Sequence, residues 1–130
     1  MTLELINPEG LAQPTGYSHL AVSRGSRIVF VAGQVGFDAD GNLVSDDVAA
    51  QAEQAYRNVA TAVEAVGGTV DDIAKLTTFV VCHSPDLIGP ILAARSAVFG
   101  DHHPASTYLG VETLIRPELL VEVEAVAVLD

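Results

Sequence analysis

Residues 119–129 read LLVEVEAVAVL, and this stretch constrains the fold more than any other. Strict alternation over a β-branched segment predicts a strand with side chains pointing to opposite faces. One face would carry Val121, Val123, Ala125 and Ala127. The other would carry Glu122 and Glu124, then Val126 and Val128. The first face needs an apolar cover such as a layer of helices. The second starts polar and ends apolar, so it needs solvent at one end and a cover at the other. Hydrophobic residues make up 49% of the chain but aromatics only 5%, and Trp is absent. Any core must therefore be built from Val, Ala, Leu and Ile.

The rest of the 130 residues supplies the partners for that strand. Residues 2–7 alternate weakly and predict a short first strand, followed by an irregular loop rich in Pro and Gly. Residues 18–34 predict two strands around Arg24–Gly25–Ser26, with Gly25 suited to a tight hairpin turn. A further turn is expected at residues 38–41. Over 46–66, Val48, Ala52, Ala55, Val59, Val63 and Val66 recur every three or four positions, which predicts a helix with one apolar face. Ser45 or Asp46 would cap it and Gly67–Gly68 would end it. Residues 73–82 predict a strand. The regular part of a second helix is expected from about Pro90 to Phe99, since proline is costly deep inside a helix, and Pro85 allows a helical turn before it. Residues 105–113 predict another strand. The order β-β-β-α-β-α-β-β describes a single α+β domain over residues 1–130, a mixed sheet with two helices on one face. The sheet's other face is left without a layer, which points to a homo-oligomer that covers it.

Several functions are disfavoured by composition. Six Lys and Arg face 17 Asp and Glu, a formal net charge of −11, and that field repels a phosphate backbone, so no nucleic-acid partner is expected. No run reaches the roughly 18 apolar residues of a membrane span. The N-terminus lacks the basic and apolar regions of a signal peptide. Only one cysteine, Cys82, is present, which suits a cytoplasmic protein; it reads as a packing group in an apolar strand.

The stretch DHHPASTYLG, residues 101–110, is dense in polar groups. His102 and His103 are neighbours on an extended segment and point apart, so no metal site is expected. Ser106 lacks the G-x-S-x-G setting of a nucleophile. Glu122 and Glu124 lie together on a face that continues as Val126 and Val128. A carboxylate on a partly apolar face must be paired, reach water, or serve a site where it positions or activates water.

The stretches TGYSHLAV, IVFVAGQVG, QAEQAYRNVATAVEAVGG, IAKLTTFVV, FGDHHPAST and LLVEVEAVAV together resemble the reactive intermediate deaminase family, RidA/YjgF, also called endoribonuclease L-PSP. The resemblance implies a chorismate-mutase-like α+β fold and a homotrimer with ligand clefts between subunits. It also implies cofactor-free hydrolysis of small enamines and imines, such as 2-aminoacrylate, to a 2-keto acid and ammonia. Carried over by position, it places a cleft tyrosine at Tyr17, a turn glycine at Gly33 and the water-positioning glutamate at Glu122. A frequent asparagine of the second helix falls on Leu92, and a common cysteine falls on Tyr108.

One position departs sharply. The deaminases hold the substrate carboxylate with the arginine of a Pro-Ala-Arg-Ser motif, and here the run is Pro104–Ala105–Ser106–Thr107. A guanidinium grips a carboxylate through two charge-assisted hydrogen bonds and a serine through one neutral one. The difference is about 2–3 kcal/mol. Arg24, Arg95 and Arg116 are further cations that the sequence alone does not place at the cleft. Two expectations follow. The chain is a Rid-like imine or enamine deaminase that is weak on small imino acids, with Tyr17 and Ser106 holding the substrate. Alternatively it is a non-catalytic trimer that binds a small metabolite or a partner.

Overall fold

The computed structural model describes residues 2–130. Six strands and two α-helices follow in the order β1 (Thr2–Ile6), β2 (Leu20–Arg24), β3 (Arg27–Gln34), α1 (Val48–Glu64), β4 (Ile73–Val81), α2 (Ile88–Phe99), β5 (Ala105–Val111) and β6 (Val121–Leu129). The class is α+β with a mixed sheet, as the sequence predicts. The main sheet has the order β3-β6-β4-β5, with β4 and β5 parallel and the other pairs antiparallel.

The alternation along β6 does what the residues dictate. Val121, Val123, Ala125, Ala127 and Leu129 are buried, while Glu122, Val126 and Val128 are half-buried and Glu124 is exposed. The buried side meets Ala52, Ala55, Tyr56, Val59 and Val63 of α1 and Ile91 and Phe99 of α2, and forms one core with Ile73, Leu76 and Val80 of β4. Gln51 ties α1 to the chain entering β6. Its Nε2 donates to the carbonyls of Ser45 and Glu118, both at 3.0 Å, and its Oε1 accepts from Leu120 N at 2.8 Å. A fully buried amide is tolerated because each of these groups is satisfied.

Four local expectations need correction. The first helix begins at Val48, not residue 46, because Asp47 is the cap: its backbone is extended and its carboxylate accepts from Ala50 N at 3.0 Å. It ends at Glu64, and Val66 is exposed at 41%. The second helix begins at Ile88, two residues early, because Pro90 sits in the first turn where no backbone N–H is required; a turn of 3-10 helix at Pro85–Leu87 leads into it. The strand at 105–113 stops at Val111.

The fourth correction matters most. β2 and β3 do not form a hairpin at Gly25. Instead β1 and β2 pair with each other as a separate antiparallel ribbon, Thr2 opposite Arg24 through Ile6 opposite Leu20. Gly25 is needed for another reason. A Cβ there would lie 2.4 Å from the Leu129 carbonyl oxygen and 3.0 Å from Val128 Cγ1, so glycine permits the chain to lie directly on β6. At its other end β2 is preceded by Ser18, whose N–H donates to Pro104 O at 3.3 Å beside the start of β5. β2 therefore runs from the β5 edge of the sheet across to β6, lying against β4 and β6 on the Val128 side. That face remains open elsewhere: Phe30 is 77% and Ile28 62% exposed.

Candidate functional site

β5 is an edge strand, and its register with β4 decides which way its side chains point. Ser106 is opposite Leu76 and Tyr108 opposite Thr78. Leu76 and Thr78 are buried against the helices, so Ser106 and Tyr108 face the helical layer too. Between them and α2 lies a cavity of about 310 Å³. Tyr17 enters it from the loop before β2, Leu92 and Ile88 from α2, and Tyr56 and Thr78 form part of its wall. Four of the six residues singled out from sequence, Tyr17, Leu92, Ser106 and Tyr108, thus line one cavity.

The other two do not. Glu122 is opposite Phe79 in the β4–β6 register, on the face away from the helices. There it meets Gly33: a Cβ on Gly33 would come 2.2 Å from Glu122 Oε1. The β3–β6 pairing shifts register between Val31 and Gln34, a bulge of the kind that re-aims a strand beside a site. Glycine at 33 leaves the carboxylate its place. Among the described residues the Glu122 carboxylate has no hydrogen-bond or ion-pair partner, so its lone pairs are free for water or a ligand. One chain therefore carries two half-sites, on opposite faces of one sheet.

The hydroxyls of the cavity are ordered by their neighbours. Tyr56 OH and Thr78 Oγ1 are 2.8 Å apart. Burial pushes the Tyr56 phenol up from its ordinary value, against a smaller lowering by the Thr78 hydrogen bond. Tyr108 OH lies 3.0 Å from His83 Nδ1, with the two rings edge to face at 5.0 Å, and burial raises its phenol as well. Both remain hydroxyl donors at neutral pH. Ser106 Oγ turns back and donates to Pro104 O at 3.0 Å. It does not project across the cavity as an arginine in its place would.

Arg95, Tyr56 and Thr78 are residues of the cavity that sequence reasoning did not single out as site residues. Arg95 was weighed only as a cation without a place. It sits on α2 three residues after Leu92, only 5% exposed, and lines the cavity. Its Nη2 donates to Gly16 O and contacts His103 Nδ1 at 3.3 Å. Burial lowers its pKa, and the neighbouring Tyr56 acts in the opposite direction. The signal was present: Ile88, Leu92, Arg95 and Phe99 recur at helical spacing, which puts an arginine on the inward stripe of α2.

The histidines of DHHPASTYLG have structural partners. His102 Nε2 lies 2.8 Å from Ile73 O, and His103 meets Arg95. Among the described residues no three His, Cys, Asp or Glu groups cluster as metal ligands. Cys82 is not the buried packing group expected. It is exposed and ends β4 with φ at +50°. No helix among the described residues is long and apolar enough to cross a membrane.

The likenesses of the chain agree with its fold. Residues 9–129 match the family profile described as Endoribonuclease L-PSP. The 2-iminobutanoate/2-iminopropanoate deaminase of Salmonella typhimurium is 37% identical over 106 residues, 78% of this chain and 79% of that protein. The solved structure of a Rid-family protein from Yersinia pestis superposes with a TM-score of 0.92 at 37% identity, covering 99% of this chain and 100% of that one. The structure of TdcF from Escherichia coli with bound serine superposes with a TM-score of 0.71 at 30% identity, over 93% of this chain and 92% of that one. With a profile match over nearly its whole length and relatives above 30% identity, the chain belongs to the RidA/YjgF family.

Proposed function

We propose that the protein is a Rid-type hydrolytic deaminase of a small imine or enamine, whose site forms between copies of the chain. The observation that carries this is the placement of the half-sites. The pocket of Tyr17, Ser106 and Tyr108 faces the helices, and Glu122 with Gly33 occupies the opposite face. A second copy supplies the missing half, and the apolar open face around Phe30 and Ile28 is the surface it would cover. The closed assembly we infer is a homotrimer, acting in the cytoplasm without a cofactor.

The chemistry is balanced by water alone. An enamine first tautomerises to its imine. Water then adds to the C=N carbon, its oxygen forming the new bond while Glu122 accepts a proton. That proton passes to nitrogen to give the neutral carbinolamine, whose hydroxyl proton is then relayed to nitrogen as the C=O bond forms and the C–N bond breaks, so that ammonia leaves with the carbonyl product. In this reading Tyr108 and Tyr17, which line the pocket, hold the substrate by hydrogen bonds. Because Ser106 stands where the deaminases carry arginine, and its hydroxyl is turned onto Pro104 O, turnover of 2-aminoacrylate should be slow. That same hydrogen bond favours a second reading, a trimer that binds a metabolite without turning it over.

The test is a coupled assay in which a dehydratase generates 2-aminoacrylate or 2-iminobutyrate and keto acid release is followed with and without the protein. Little acceleration is expected with 2-aminoacrylate, and a large one overturns the weight given to Ser106. A panel of larger imines follows, and if none is accelerated the binding reading replaces the enzymatic one. Size-exclusion with light scattering should give a trimer; a stable monomer removes the shared site.

A further inference from the structure

The cavity between β5 and α2 has one charged side chain in its wall, Arg95, and no carboxylate. A buried guanidinium is costly unless its charge and its donors are used. Here the use is incomplete. Nη2 has Gly16 O and His103 Nδ1, neither of which brings a negative charge, and among the described residues Nε and Nη1 have no protein acceptor. Among the described residues no carboxylate is ion-paired with Arg95. Nη2 is held by loop and strand-entry atoms, so the guanidinium plane is fixed and its remaining donors can serve a ligand. Ser106 makes room for this. It is short and folded onto Pro104 O, where a longer side chain on β5 would enter the cavity from the opposite wall.

We propose that Arg95 is the anion receptor of this site, so that the carboxylate anchor has moved from the strand β5 to the helix α2. The ligand class is a small 2-imino or 2-oxo monocarboxylate. Its carboxylate would meet Arg95, and its apolar substituent would lie against Ile88 and Leu92, the aliphatic part of the same wall. The proposal rests on reading this pocket as the ligand end of the deaminase site. It is also consistent with the slow turnover expected of the smallest imino acids. An acid held from α2 places its reactive carbon differently from one held at position 106, and a larger substituent is needed to fix it.

Binding of a stable probe tests this without requiring turnover. 2-Oxobutanoate and its neutral amide would be titrated into the wild type, Arg95→Gln and Arg95→Lys by calorimetry, with melting curves as a folding control. The wild type should prefer the carboxylate over the amide roughly 10–100-fold, as expected for loss of a charge-assisted pair. Arg95→Gln should abolish that preference by weakening acid binding far more than amide binding, and Arg95→Lys should retain part of it. Equal binding of acid and amide by the wild type overturns the proposal, as does a preference that survives Arg95→Gln or the binding of neither probe. If Arg95→Gln does not fold, the Nε–Hε resonance of Arg95 in the wild type decides. It should shift on adding the acid and not the amide, and the reverse overturns the proposal. Selective binding with no turnover of any imine would remove the deaminase reading and leave the receptor. Turnover without acid selectivity would do the opposite.

Discussion

The two faces of the main sheet are made by the same strands and differ in nearly every other respect. The helix side is a largely aliphatic core that opens at its β5 edge into a pocket lined by hydroxyls and a single arginine. The far side carries Glu122, Glu124, Phe79 and the exposed Phe30 and Ile28, crossed by a ribbon that pairs with nothing but itself. The lesson is that side-chain parity, set by register, separates the proposed carboxylate from the proposed pocket by the thickness of a sheet. No rotamer brings Glu122 to Ser106 in one chain.

That separation can be attacked directly. The largest expected effect is on chemistry: Glu122→Gln should lower turnover of the best imine substrate roughly 100-fold or more without changing the melting temperature. Mixed assemblies of Glu122→Gln with Ser106→Trp, which fills the pocket, should recover part of the activity, measured after co-refolding. No recovery would mean that both halves serve within one chain. Next comes the helix side alone. Gln51→Leu leaves two carbonyls and the Leu120 N–H unpaired and should cost about 3 kcal/mol in denaturant unfolding. The far side responds to Phe30→Lys, which should weaken assembly by about 2 kcal/mol per contact and shift the sizing profile towards monomer, with the monomer's helix content intact. Gly33→Ala should reduce turnover about tenfold, by 1.4 kcal/mol, because the added methyl displaces a carboxylate rather than backbone. A comparable loss of stability instead would show that Gly33 is there for the fold. The smallest effect is titration on the helix side. Tyr56 has its pKa raised in the folded state, so the fold binds the proton more tightly than the unfolded chain does. Its contribution is complete below the unfolded value of about 10 and is lost as pH rises through the higher folded value. Melting curves should show no loss from this group between neutral pH and about 9 and a decline above 10.

Much of this was readable beforehand because it depends on period. The alternation of β6 assigned its faces, and the stripe of α1 from Ala52 to Val63 assigned its burial. What depends on which strand meets which was not readable. Arg24–Gly25–Ser26 carries the local signature of a hairpin, yet the glycine answers to Leu129, more than a hundred residues away. Cys82 continues an apolar run but sits in a left-handed turn that exposes it. At the site, Tyr17, Ser106 and Tyr108 could be named from motif resemblance. Arg95 could not be placed, since its role rests on Gly16 and His103 arriving from a loop and a strand entry.

β2 begins two residues after Ser18, which is pinned to Pro104, and ends beside Leu129 on β6, across the sheet. An extended segment has little slack, so it behaves as a strut of fixed length braced at both ends. Tyr17 stands at one foot of that strut. Its ring keeps its distance from the end of β6 because the chain between them cannot stretch, and an inserted residue in β2 would loosen the pocket from the far side of the molecule.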